Sequence, residues 1–256
     1  MLLEQHIPQL EDMKHYPKEL YVKGNLELLK KPKISIVGSR KPSKYSRMLT
    51  QNLSSSLAKG GICVVSGGAM GIDAIAHKGA GEANTIAVLP CGINIRYPAI
   101  NKNLLSNIEQ NGLLLSQFKN DFRATPWSFV VRNELVVALG DVLVVAEANP
   151  DSGSMRSIEI ALKMGKQIYV FPHRLGESGA TNQLLKEQKA KPIYDIDEFV
   201  SIFAPNPIDT TNSDTFIEFC KTNPTYDEAL KRFPNRVFEA ELSGEIQIQN
   251  GKVILN

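Results

Sequence analysis

The stretch KISIVGSRKPSKYSR, Lys33 to Arg47, decides the fold. A short apolar run (Ile34, Ile36, Val37) meets Gly38, then a hydroxyl and a guanidinium at Ser39 and Arg40, then more cations at Lys41, Lys44 and Arg47. This pattern reads as a buried strand, a tight turn and the start of a helix. Such a turn leaves the first helical N–H groups without partners, which suits an anion. Gly38 lets that anion approach the backbone, and Arg40 offers a planar fork for a phosphate. The plain alternative is an ordinary strand-to-helix turn with a solvated arginine.

Working outward, the 256 residues suffice for one large domain, or for one and a small second. Net charge is only +2, but it is unevenly spread. Leu28 to Ile72 contains no acid and eight bases, so a local positive field is expected. Three well-separated cysteines (Cys63, Cys91, Cys220) exclude a disulfide framework or a zinc ribbon and fit a reducing cytoplasm. The acidic start MLLEQHIPQLEDMK is not a signal peptide, and no run reaches the roughly 20 apolar residues that span a bilayer. A cytoplasmic location with no membrane partner is expected.

Residues 1–32 read as an amphipathic lead-in. Apolar strands are expected at 33–37, 62–65, 85–90, 112–118, 141–148 and 166–172. Helices are expected near 44–59, 101–110 and 129–139, with others opening after 66–71 and 149–157. In the first of these, Tyr45, Met48, Leu49, Leu53 and Leu57 recur at helical spacing. The alternation argues a doubly wound, mostly parallel Rossmann-like sheet, whose ligands gather outside the strand carboxyl ends. Arg40, Lys41, Arg96, Arg123, Arg132, Arg156 and Arg174 should share that rim.

In SGGAMGIDAIAH, Ser66, Gly68 and Gly71 approach a dinucleotide fingerprint but lack its first glycine, and Pro90 stands where an acid should hold a ribose. Nicotinamide dinucleotide is disfavoured. A phosphate-approach loop survives, and no cofactor or metal is expected. Asp73 and His77 share a helix face. They read as a helix-stabilising pair, because no nucleophile motif accompanies them; the sharper alternative is an oriented general base. GxSxG, HExxH and P-loop motifs are missing. Trp127, Phe129 or Tyr97 could stack on unpaired bases; core packing is the alternative for each, and the stronger one for Phe129.

APNPIDTTNS (204–213) has linker composition. The segment 214–256 carries 7 acids and 5 bases and reads as three short helices and an Asn250-Gly251 hairpin, a small winged-helix-like module. Its acidic third helix argues against groove reading and for protein contact. The domains are therefore 1–203 and 214–256.

Several motifs in order, VGSR (37–40), SGGAMGID-AIAH (66–77), TIAVLPCGIN (85–94), GLLLSQF (112–118), RNE (132–134), SGSM (152–155) and SGATNQLL (178–185), resemble the DNA processing protein A family over roughly residues 20–200. The resemblance implies an extended Rossmann fold that binds single-stranded DNA, forms a homodimer, and loads the RecA recombinase onto DNA during natural transformation, without catalysis. By resemblance Arg40 matches the DNA-binding arginine, while Gly38, Ser39, Ser66, Gly67 and Gly68 match phosphate-pocket loops. The candidate contact set adds Lys41, Arg132, Asn133, Ser152, Gly153 and Ser154, with Arg123 as the cation of the 118–128 loop. Glu134 departs from the family's usual arginine and removes a positive contact at the rim. Arg156 and Ser157 also stand where the family has a hydrophobe and threonine. A competing reading is a nucleotide-processing, phosphoribohydrolase-like enzyme with a PGGxGTxxE loop; PDSGSMRSIE has serine where that loop has glycine and Glu159 one residue late. A nucleotide-sensing module is a third.

Overall fold

The computed structural model describes residues 1–205 and 215–255, so the expected linker at 204–213 lies outside the described residues from position 206 onward. The chain divides into two compact units, Met1–Pro207 and Ile208–Asn256.

The first unit contains β1 (Tyr21–Gly24), β2 (Lys33–Val37), α1 (Lys44–Lys59), β3 (Cys63–Ser66), α2 (Ile72–Ala80), β4 (Thr85–Val88), α3 (Lys102–Asn111) and β5 (Leu113–Ser116). It continues with α4 (Pro126–Leu139), β6 (Val142–Val145), α5 (Ser154–Lys163), β7 (Ile168–Val170), α6 (Gly179–Lys186), β8 (Lys191–Pro192) and α7 (Ile196–Phe203). The strands form one eight-stranded sheet in the order β1-β5-β4-β3-β2-β6-β7-β8. Every pairing is parallel except β1 on β5, so the sheet is Rossmann-like with one antiparallel edge. The lead-in thus supplies a strand, since Tyr21–Gly24 pairs with Leu113–Ser116. Four residues ending in glycine carry too little pattern to announce it.

The apolar runs become strands because both faces of the sheet are covered. Residues of α4, α5 and α6 pack with Cys63, Val65, Val88 and Leu115 in one cluster, while α2 and α3 pack with Ala87 and Leu114 in another. The chain winds from β2 to β5, and α4 then carries it back to β6 on the other side of β2. The strand order reverses between β2 and β6, and that is where such sheets open a ligand crevice.

Two helices position the crevice. Ser43 caps α1, its hydroxyl accepting from the Ser46 amide at 3.2 Å. The buried stripe of α1 is Ser46, Thr50, Leu53, Ser54 and Leu57, not the expected stripe that included Tyr45 and Met48, both of which are exposed. Small residues win here because α2 lies close: a Cβ on Gly79 would meet Ser54 Cβ at 2.8 Å. Helix α4 opens with a Thr125–Ser128 capping box, and Leu135 to Leu139 are all buried. Each large apolar side chain there contributes about 1.5–3 kcal/mol of burial, which fixes the turn just before it.

The second unit contains α8 (Thr215–Cys220), α9 (Tyr226–Arg232), α10 (Pro234–Ser243) and the hairpin β9 (Ile246–Gln249) to β10 (Lys252–Leu255). Asn250 and Gly251 both take positive φ, as a two-residue hairpin requires. Its core is Phe216, Cys220, Ala229, Val237, Ala240, Ile246 and Val253. Three short helices and a hairpin follow one another here in the order expected from the sequence. Among the described residues no helix is long and apolar enough to cross a membrane.

Candidate functional site

The loop after β2 is pinned before any ligand arrives. The Ser39 N–H donates to the Glu147 carbonyl at 2.9 Å, the Ser43 N–H donates to Glu147 Oε2 at 2.9 Å, and the Lys41 N–H donates to Ser39 Oγ at 3.1 Å. Glu147 and the Ser39 hydroxyl thus occupy the amides of the loop that leads into α1. Burial works to raise the Glu147 carboxyl, but hydrogen bonds from Ser46 and Ser43 and the charge of His173 outweigh it and hold it below the usual range. A second tie runs to the loop after β3, where the Ile72 N–H donates to the Ser39 carbonyl at 3.1 Å. Gly71, at φ +80°, allows this contact: a Cβ there would lie 2.7 Å from Arg40 Cα. A Cβ on Gly38 would meet Ile72 Cγ1 at 2.7 Å, so Gly38 serves close packing.

Arg40 stands out from this fixed loop, exposed, with its guanidinium carbon 5.7 Å from the centre of the Phe129 ring. Phe129 is therefore a wall of the site and not core. Arg40 and Phe129 form a bar that borders a small pocket, walled also by Gly67, Met70, Tyr97, Pro98 and Arg132. The same two residues line a larger groove between the loops after β2 and β6.

The groove's cations are Arg40, Lys41, Arg132 and Arg156, and its acids are Asp73, Asp151 and Glu159. Arg132 is buried and pairs with Asp73 at 3.5 Å. Burial lowers its pKa, while the Asp73 carboxylate works against that shift. Arg156 pairs with Glu159 at 3.0 Å. Among the described residues Arg40 and Lys41 make no ion pair, so they carry the uncompensated charge.

Other expected residues fall into three groups. Gly38, Ser39, Asn133, Ser152, Gly153 and Ser154 line the groove, and the Ser152 hydroxyl is buried with no partner among the described residues. Ser66 and Gly68 shape the site from behind. The fully buried Ser66 hydroxyl donates to the Ile36 carbonyl at 2.7 Å, and Gly68, at φ +70°, accepts from Asn101. Arg96, Arg123 and Arg174 line neither hollow. Arg96 turns away to the Ile93 carbonyl and Glu109. Glu134 also lies off the groove wall, so its charge leaves the lining unchanged. Lining residues not singled out from sequence include Met70, Val130 and, as a groove acid, Asp73. The signal for Val130 was available, since it stands three residues before Asn133 on one helix.

Asp73 and His77 are not partners. Asp73 holds Arg132, whereas His77 bonds Thr85 Oγ1 through Nδ1 at 2.6 Å. Full burial, helped by the Arg132 charge, pushes the His77 pKa down to about 3, so the ring is neutral and sealed from any substrate. Trp127 is exposed and edge-on to Phe118 and Phe122.

The lineage follows from comparison. The model of the DNA recombination-mediator protein A family matches residues 2–204. The chain belongs to this family. Relatives include Protein Smf of Escherichia coli K12, 35% identical over 176 residues, with 68% of this chain and 47% of that protein covered. DNA processing protein DprA of Streptococcus pneumoniae R6 is 34% identical over 182 residues, with 70% and 64% covered. The chain thus spans about half to just under two-thirds of the length of these curated relatives. Among solved structures, DNA processing protein A of Helicobacter pylori, studied for its single-stranded DNA binding mode, superposes with a TM-score of 0.77 at 41% identity, covering 79% of this chain and 94% of that one. The X-ray structure of Streptococcus pneumoniae DprA gives 0.72 at 32% identity, with 77% and 71% covered. The family's Rossmann-like sheet is the one described above.

Proposed function

We propose that this member of the family binds single-stranded DNA along the β2/β6 rim, without strong sequence preference and without breaking a bond. We further propose that, as a cytoplasmic homodimer, it passes the strand to the RecA recombinase during natural transformation. The observation that carries the binding reading is the Arg40–Phe129 bar, a cation over an aromatic with no ion pair among the described residues, shared by a small pocket and a larger groove. A single strand has free base faces for the pocket and phosphates for the groove, whereas a duplex hides the former. The second unit's acidic third helix supports a protein-facing role for that unit.

The test is fluorescence anisotropy with labelled oligo-dT and with a duplex of equal length. Two to three neutralised phosphates predict a loss of about seven- to twentyfold between 50 and 200 mM salt. Salt-independent binding, or preference for the duplex, refutes the reading. Release of base from nucleoside monophosphates in the same preparation would instead establish the phosphoribohydrolase-like alternative.

A further inference from the structure

A surface built for a polyanion has no evident use for a carboxylate, yet Asp73 lines the groove. It is only 7% exposed, and its surroundings explain why it stays. Its Oδ2 lies 3.5 Å from Arg132 Nη1 and accepts the Ala69 N–H at 3.3 Å, so one oxygen holds both the cation and the loop after β3. The guanidinium lies against Gly67, where any Cβ would overlap it. Arg132 lines the small pocket and the groove alike, and its buried Nε has no partner among the described residues. A buried guanidinium with an unmet donor is held at a cost and moves unless something fixes it.

We infer that Asp73 is a positioning residue, which holds the Arg132 guanidinium beneath Gly67 where pocket and groove meet, and thereby strengthens polyanion binding despite sharing the polyanion's sign of charge. This rests on the reading of the rim as a single-strand site. Simple charge counting makes the opposite claim, because removing an acid from the groove should tighten binding and steepen its salt dependence.

The experiment measures oligo-dT affinity and its salt slope for the full chain as wild type, Asp73→Asn, Arg132→Ala, the double variant and Gly67→Ala. Asp73→Asn is expected to bind about tenfold more weakly, with the slope shallower by about 0.7 as one phosphate contact is lost. In the Arg132→Ala background the same change should add nothing, since residues acting as a unit are not additive. Gly67→Ala, whose Cβ would overlap the guanidinium and meet Asp73 Oδ2 at 2.8 Å, disrupts the same pair without removing the carboxylate and should weaken binding similarly; it decides the matter if Asp73→Asn gives no cooperative melt. Unchanged or tighter binding by Asp73→Asn overturns the inference, as does an additive loss in the double variant. Failure of the wild type to bind oligo-dT refutes the underlying functional reading, which is a different result from wild-type binding with an indifferent Asp73→Asn.

Discussion

Truncation of Arg40 to alanine gives the most direct test of the rim. The side chain is exposed and makes no ion pair among the described residues, and its one recorded partner is the Phe129 ring at 5.7 Å. The loop's backbone is held independently by Glu147 and by the Ser39–Ile72 hydrogen bond, so it should keep its course. The cost to the free protein is then the cation–aromatic contact, about 0.5–1 kcal/mol at an exposed site. The cost to binding is a charge-assisted hydrogen bond, about 1.5–3 kcal/mol, or roughly ten- to a hundredfold in Kd. Loss of one phosphate contact should also make the slope of log affinity against log salt shallower by about 0.7. Anisotropy with labelled oligo-dT at 50, 100 and 200 mM salt measures both quantities, and a thermal melt checks the fold. Wild-type affinity in Arg40→Ala would show that Arg40 is not a phosphate ligand. A large loss with an unchanged slope would show that it acts through something other than charge.

Phe129→Ala should weaken oligo-dT binding by about 1–3 kcal/mol per stacked base while leaving the salt slope unchanged, which separates stacking from charge in the same titration. Gly71→Ala places a side chain at φ +80° against the Arg40 backbone; it should lower Tm and abolish most binding together, and retained binding with a normal melt would show that the two loops need not touch. His77 has a folded-state value near 3 against 6.5 for the free ring, so the unfolded chain takes up the proton first. The contribution of this group to stability is therefore fully retained above pH 6.5 and falls as pH drops toward 3, with a loss of about 2 kcal/mol between pH 7 and 5. Urea titrations at the two pH values should show that loss, and His77→Gln should remove most of it. Deleting 204–256 should leave oligo-dT affinity within about twofold, since an acidic segment does not grip phosphates; complete loss would give the second unit a direct part in holding the strand.

The sheet was legible because its strands are nearly pure apolar runs, Ile34 to Val37 and Leu143 to Val145 among them, and such runs admit few other environments. The place of Arg40 on the rim was legible because it stands three residues past the end of a strand. What escaped the sequence depends on partners distant in the chain. Glu147 takes the amides of Ser39 and Ser43, more than a hundred residues before it, and no local pattern reports that. Helical spacing put Asp73 and His77 on one face but could not say that Arg132 of α4 and Thr85 of β4 would claim them separately. Phe129 read as core because an aromatic beside a valine run usually is, and only the placement of α4 turns it to the rim. Arg96 counted as a rim cation until Glu109 drew it away.

The pinned loop after β2 has a kinetic and a thermodynamic corollary. A cradle already stiff before its guest arrives leaves nearly the whole entropic burden of association with the floppy nucleotide chain. Affinity should therefore climb with oligonucleotide length only until the strand spans pocket, bar and groove, and then level off. On the proposed reading, nucleotides past that span should stay loose, a slack tail beside a seated segment that a second protein could grasp.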